Sequence, residues 1–199
     1  MKETLIRHIP PGAVDYCYAL YQQHPFQFKV TKKRRTKLGD YRYDPRNGHH
    51  KISVNGNLNR YHFLITYLHE VAHRVVRSQY VRRTAPHGKL WKSTFLQLMK
   101  PMLNQHIFPK DILLPLIDHM RNPRASSQAD ARLYLSLKNY DSHPETGELL
   151  GNLAMGKSFS FQDRSFRKLD NKRTRVLCYD LKTQRKYLIM KTAVVQPED

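Results

Sequence analysis

Hydrophobic residues recur with a helical period along much of the first two thirds of the chain. The clearest case is the segment 60–80, in which Leu64, Leu68 and Val71 return every three or four residues. This spacing places them on one face and predicts a long amphipathic helix, with Asn59 as its N-cap. The same period predicts helices in four other segments: 3–24 (interrupted at 10–12), 88–99, 109–120 and 128–138.

Alternation of apolar and polar residues predicts strands in two other parts of the chain. Three short runs lie between the first helix and the long helix, at residues 26–31, 40–43 and 50–54. Because strands that are close in sequence usually lie side by side, we expect a three-stranded antiparallel sheet here. From residue 147 onward, the runs SFSF, RSFRK, RTRVLCYD and RKYLIM are separated by turns and predict further strands.

The change from helical to strand-like patterning divides the chain. Small and polar residues (NPRASS) over 122–127 mark the boundary. We therefore predict an α+β protein with three parts. These are a core over residues 1–122, a helical and loop connector over 123–146, and a small β-rich C-terminal module over 147–199.

The chain is strongly basic, with 35 Lys and Arg against 16 Asp and Glu and a formal charge of +19. Such a charge favours contact with nucleic acid or anionic lipid, although a basic protein without such partners is an alternative. In the C-terminal module, aromatic residues alternate with Lys and Arg, as in proteins that bind single-stranded nucleic acid. The alternative is a solvated sheet face whose aromatic residues point inward. The candidate nucleic-acid contacts are Lys32, Lys33, Arg34, Arg35, Lys37, Arg173 and Arg175.

We expect neither a membrane-spanning segment nor a secretory signal in this sequence. No stretch approaches the roughly 20 apolar residues that cross a bilayer, and the N-terminal residues lack the apolar region of a secretory signal. We therefore expect a cytoplasmic protein. Its only cysteines, Cys17 and Cys178, cannot form a four-thiolate zinc site and are expected to be free thiols.

The long predicted helix carries the pattern His69-Glu70-Val71-Ala72-His73. Residues four apart lie on one helical face, so both imidazoles can bind one zinc ion, and Glu70 can reach a water at that ion. Glu70 is also the only acidic residue between Asp44 and Asp111, in a region with eleven Lys and Arg. The alternative is that both histidines are buried and merely hydrogen-bonded.

A catalytic zinc site usually takes three protein ligands, so a third is needed. No Asp or Glu lies between Val71 and Lys110, and Val76 and Gln79 break the extended metzincin pattern. His87 and His106 are the histidines that remain nearby. His87 is favoured, because the loop after His73 can double back to it, whereas His106 lies beyond the next predicted helix.

The motifs LHEVAH and HGKLWKSTF resemble those of the SprT-like family of zinc metallopeptidases, which includes the eukaryotic protease Spartan. The stretches RTKLGDYRYD and ISVNGNLN are also similar, so the resemblance covers roughly residues 10–120. It implies a minimal zincin-like metallopeptidase core with an active-site helix. It further implies that His69, His73 and His87 ligate zinc and that Glu70 is the catalytic base.

One departure from the family concerns the C-terminal module. Many SprT-like proteins end in a zinc ribbon with paired cysteines, but here the equivalent region has only Cys178. The chain therefore resembles the bacterial type without this ribbon, and we expect one Zn²⁺ per chain. A module that resembles a metal-free ribbon would be stabilised by its aromatic residues, which include Phe159, Phe161, Phe166, Tyr179 and Tyr187.

These features predict a zinc-dependent endopeptidase, and the resemblance to the family implies that it is associated with DNA and acts on DNA-bound or DNA-crosslinked proteins. The expected partners are a protein or peptide substrate and single-stranded or damaged DNA. The substrate is expected to lie as an extended strand against a sheet edge, for which 50–54 is the candidate. The alternatives are a general cytosolic metallopeptidase and a DNA-binding protein with a vestigial peptidase site.

Overall fold

The computed structural model describes residues 1–34, 36–80, 84–142 and 146–198. The chain divides into two compact units, Met1–Ala125 and Ser126–Asp199. The first unit contains a three-stranded sheet and the second a six-stranded sheet, which confirms the predicted α+β class. In the described residues, no helix has the length and apolar character needed to cross a membrane.

The first unit contains five helices and three strands within its described residues. The predicted helices are confirmed, and the first of them is divided in two by a 3₁₀ turn at Pro11–Ala13. In chain order the elements are α1 (Lys2–His8), α2 (Val14–Gln23), β1 (Gln27–Thr31), β2 (Gly39–Asp44), β3 (His49–Asn55), α3 (Arg60–Gln79), α4 (Lys89–Met99) and α5 (Lys110–Met120).

The sheet of the first unit is mixed, so the predicted antiparallel sheet is wrong. Its strand order is β1-β3-β2; β2 and β3 form an antiparallel hairpin, whereas β1 pairs with β3 in parallel. The chain leaves one edge of the sheet at Thr31 and enters the other edge at Gly39. Because β3 is central and paired on both sides, the candidate substrate edge at 50–54 is also wrong.

Asn55 fixes this crossing at the end of β3. Its backbone N–H donates to Leu38 O (2.9 Å) and its side-chain Nδ2 donates to Lys37 O (3.0 Å). Its Oδ1 accepts from Arg34 Nε (2.7 Å), and the N–H of Gly56 donates to Thr31 O (2.8 Å). These bonds satisfy buried polar groups and explain why the strands do not form a simple meander.

Helix α3 packs its apolar face on the sheet. Asn59 caps the helix as predicted, because its Oδ1 accepts a hydrogen bond from the N–H of His62 (3.0 Å). On the sheet side, Ile52 and Val54 of β3 are buried. On the helix side, the fully buried residues are Phe63, Leu64, Tyr67, Leu68, Val71 and Ala72. Each large apolar side chain buried here contributes about 1.5–3 kcal/mol, so the position of α3 over the sheet is well determined.

Within its described residues, the second unit is an antiparallel sheet preceded by one α-helix, α6 (Ala131–Lys138). The strand order is β4-β9-β5-β6-β7-β8. The four predicted runs form β5 to β8, whereas β4 and β9 were not expected from the sequence. The strands are β4 (Glu148–Leu149), β5 (Ser158–Ser160), β6 (Ser165–Asn171), β7 (Arg175–Asp180), β8 (Lys186–Met190) and β9 (Val194–Glu198).

The core of the second unit contains aromatic residues and one lysine. Phe159 and Phe166 are buried and stacked with their ring centroids 5.6 Å apart, and Phe161 and Tyr187 pack against the same core. Lys168 is only 1% exposed. Its Nζ donates to the carbonyl oxygens of the 150–153 segment, at 2.9 Å, 3.1 Å and 2.6 Å. The lysine therefore stabilises a loop by satisfying its carbonyl groups.

Candidate metal centre

Three histidines from two parts of the first unit meet at one point. His69 and His73 are one turn apart on α3, and His87 lies just before α4, whose N-cap is Gly88. Their Nε2 atoms are 3.3 Å (69–73), 3.1 Å (73–87) and 3.2 Å (69–87) apart. The structure thus brings together the three predicted ligands, and the alternative ligand His106 is an exposed residue outside this group.

The size of this triangle fits a zinc ion. In tetrahedral coordination with Zn–N distances of about 2.0–2.1 Å, two ligand nitrogens lie about 3.3 Å apart. The observed separations of 3.1–3.3 Å agree with this value. Three imidazoles are also the donor set of a catalytic site that leaves one coordination position open.

The protonation of the three rings also suits metal binding. Burial lowers the pKa of His69 well below its usual value, and the charges of neighbouring histidines lower it further. Burial, assisted by His87, lowers the pKa of His73 to about 4, and burial lowers the pKa of His87 as well. The neutral rings that a metal requires are therefore favoured at neutral pH.

Glu70 lies on α3 between the two helical ligands and is 6% exposed. Burial is the main cause that raises the pKa of Glu70 to about 8, and the charge of Asp40 adds to it. The backbone N–H of Tyr41 donates a hydrogen bond to this carboxylate and opposes the shift, as do the charges of Arg34 and Lys37. A carboxyl group this desolvated is typical of a residue that exchanges protons near neutral pH.

Gly39 lies directly against this carboxylate. A Cβ atom at position 39 would be 2.8 Å from Glu70 Cγ and 2.8 Å from Thr66 Cγ2, and closer still to Glu70 Oε1. Strand β2 can therefore approach α3 at this point only because residue 39 has no side chain. Gly39 lies within the family-like stretch RTKLGDYRYD, but a close approach of this kind is not visible in the sequence pattern.

Strand β2 is an edge strand that passes beside the site. The N–H of Asn55 donates to Leu38 O. In an antiparallel pair every second residue bonds to the neighbouring strand, so Leu38 and the residues two and four positions after it direct their backbone groups toward β3. By this alternation, the backbone groups of Gly39, Tyr41 and Tyr43 face away from β3. The N–H of Tyr41 is used by Glu70, which places the free edge of β2 next to the proposed base.

The candidate nucleic-acid contacts differ in their surroundings. Lys32 and Lys33 are exposed, whereas Arg34 bonds within the sheet region, to Asn55, Ser53 and Leu38. Lys37 forms an ion pair with Asp40 (2.8 Å). Arg35 lies outside the described residues. Two further candidates belong to the second unit and are exposed, namely Arg173 and Arg175.

Comparison with known proteins places the chain in a family. A model described as the SprT-like family matches residues 15–110, a segment that contains the sheet, α3, α4 and all three histidines. Through this segment the chain belongs to the SprT-like family. The family indicates a metalloprotease, and the three-histidine cluster is compatible with one. Comparisons with curated proteins and with solved structures gave no match.

Proposed function

We propose that this protein is a zinc-dependent endopeptidase that acts on proteins bound or crosslinked to DNA. The observation that carries the proposal is the meeting of three Nε2 atoms within 3.1–3.3 Å beside the buried carboxylate of Glu70. Membership of the SprT-like family supports the peptidase class. The charge of +19 supports the association with DNA.

In this proposal, His69, His73 and His87 would hold a zinc ion, which would supply Lewis-acid chemistry toward a peptide carbonyl and the attacking water. Glu70 accepts the proton of the attacking water and returns it to the leaving amine. The hydrogen bond from Tyr41 N–H and the closeness of Gly39 restrict the carboxylate to a narrow range of positions, as proton transfer requires.

The free edge of β2 is the proposed binding surface for the substrate. An extended peptide can add to an exposed strand through backbone hydrogen bonds, which depend little on its sequence. The outward-facing backbone groups of Gly39 and Tyr43 are suited to this pairing. A substrate paired with this edge would lie across the site as an internal segment of its chain. Such binding suits an endopeptidase better than an enzyme that removes terminal residues.

We propose that DNA is bound mainly through phosphate contacts. Phe159 and Phe166 are buried in the core of the second unit and cannot stack on nucleobases. Exposed basic side chains are present in both units, for example Lys32 in the first and Arg173 in the second. Binding through phosphates should weaken steeply as salt increases.

The test combines metal analysis with cleavage of a protein attached to DNA. Wild-type protein should contain one zinc per chain; Glu70→Gln should keep this zinc and lose cleavage, and His73→Ala should lose both. Cleavage of the attached protein should exceed cleavage of the same protein free in solution, and the excess should fall with salt. Cleavage indifferent to DNA would indicate a general metallopeptidase, and DNA binding with no cleavage would indicate a vestigial site.

A further inference from the structure

One tryptophan contacts all three histidines of the metal centre. The ring of Trp91, on α4, lies 4.5 Å from that of His69, 5.4 Å from that of His73 and 4.7 Å from that of His87, measured between centroids. Trp91 is 1% exposed, and the indole Nε1–H donates to the backbone carbonyl of His69 (3.4 Å). Its six-membered and five-membered rings therefore form one wall of the site.

A tyrosine also contacts one of these histidines. The ring of Tyr41 is nearly parallel to that of His73, with an interplanar angle of 10° and a centroid distance of 6.2 Å. Trp91 is inclined to the same imidazole by 27°, so two aromatic rings are stacked near His73. The hydroxyl of Tyr41 is in turn 2.8 Å from Nδ1 of His50, which fixes the tyrosine ring.

Ligand histidines are usually oriented through their second ring nitrogen, by a carboxylate, a carbonyl or a water. In the described part of this chain, the polar contacts recorded for the three imidazoles join their Nε2 atoms, which face the proposed metal position, and none is recorded at a second ring nitrogen. The contacts that do define the planes of the rings are aromatic.

We infer that Trp91 and Tyr41 are positioning residues, which orient the three imidazoles for metal binding through ring contacts. The inference rests on the zinc centre proposed above. Phe95 anchors Trp91, because its ring is stacked on the indole at 5.0 Å, and it also contacts His69 at 5.6 Å. Its bicyclic ring is large enough to touch three ligands at once, which a phenyl ring at the same position achieves only in part.

The first test is zinc affinity, measured by competition with a chromogenic chelator for the metal alone. Trp91→Leu should bind zinc about 10–100-fold more weakly, the usual effect of losing a group that orients a ligand. Trp91→Phe should recover part of this loss. Phe108→Leu is the matched control, because Phe108 is fully buried in the same unit and its recorded ring contact is with Tyr61.

The control separates orientation from general stability. Phe108→Leu should lower the Tm and leave zinc affinity within about threefold of wild type, as expected for a core residue away from the ligands. Equal zinc affinity in Trp91→Leu and Phe108→Leu would overturn the inference while the metal centre stands. A wild-type protein that binds no zinc would overturn both the inference and the proposed function.

A second variant and a spectroscopic signal cover the case in which Trp91→Leu does not fold. Tyr41→Leu alters a half-buried strand residue and should also weaken zinc binding, whereas Tyr41→Phe, which keeps the ring, should weaken it less. Trp91 is the only tryptophan, so its fluorescence should change and saturate at one equivalent of zinc. The inference would be contradicted if zinc binding left the fluorescence of Trp91 unchanged and Tyr41→Leu bound zinc with wild-type affinity.

Discussion

Replacing Gly39 with alanine should remove proteolytic activity and leave the zinc content unchanged. The added methyl group would lie 2.8 Å from Glu70 Cγ and 2.8 Å from Thr66 Cγ2, whereas favourable carbon–carbon contacts are about 3.5–4.0 Å. Glu70 must therefore move by roughly 1 Å, and a displacement of that size costs about 100-fold in rate. This loss corresponds to about 2.7 kcal/mol of transition-state stabilisation.

The assay for this variant is kcat on a peptide substrate, with zinc content and Tm measured on the same preparations. Gly56→Ala is the control, because its methyl group would lie 2.7 Å from Val30 Cγ1 and so overpacks the sheet away from Glu70. Both substitutions should cost about 1–3 kcal/mol of stability. A wild-type kcat in Gly39→Ala, or an equal loss of kcat in Gly56→Ala, would refute the role given to this close approach.

Three other predictions concern the remaining parts of the chain. Lys168→Met removes the donor for three carbonyl groups and should destabilise the second unit by about 2–4 kcal/mol in urea denaturation; a loss below 1 kcal/mol would contradict this. Hydrogen bonds, first from Thr183 N–H and then from Arg164, lower the pKa of Asp180 below its usual 3.8. The ionised Asp180 therefore stabilises the fold above pH 3.8, and this stabilisation is lost as the pH falls through the lower pKa of the folded state. Asp180→Asn should flatten the acid side of the plot of unfolding free energy against pH. An unchanged slope would exclude this contribution of Asp180. His106→Ala should keep one zinc per chain, and loss of the metal would show that the exposed histidine takes part in the site.

The meeting of the three histidines was predictable because it depends on local rules. An i, i+4 spacing on a strongly amphipathic helix determines how His69 and His73 are presented, and the Pro-His-Gly sequence after α3 returns the chain to them. The helix itself was predicted within one residue of its observed ends, Arg60–Gln79. Such features need only the periodicity of the chain and the reach of one short loop.

The sheet order and the surroundings of the ligands were not predictable in this way. The strand order depends on Asn55, whose side chain bonds to residues some 20 positions earlier, and no local pattern encodes that contact. The close approach at Gly39 and the contacts of Trp91 with three histidines are likewise not visible in the sequence. Strand β9 was not predicted because Pro197, which lies within it, is unfavourable for a strand. The burial of Lys168 was not expected either, because a charged residue interrupts the apolar alternation of β6 at that position.

The two parts of the centre are built from contacts of different range along the chain. The three imidazoles come from α3 and the turn into α4, a local helical hairpin, whereas the partners of Glu70 come from β2, about thirty residues upstream. A chain in which the hairpin has formed but the sheet has not would bring the three imidazoles together, but it would lack Tyr41 beside His73 and the backbone of β2 against Glu70. In the proposed enzyme, peptide cleavage would therefore require the whole first unit to be folded, whereas the gathering of the histidines requires only the hairpin.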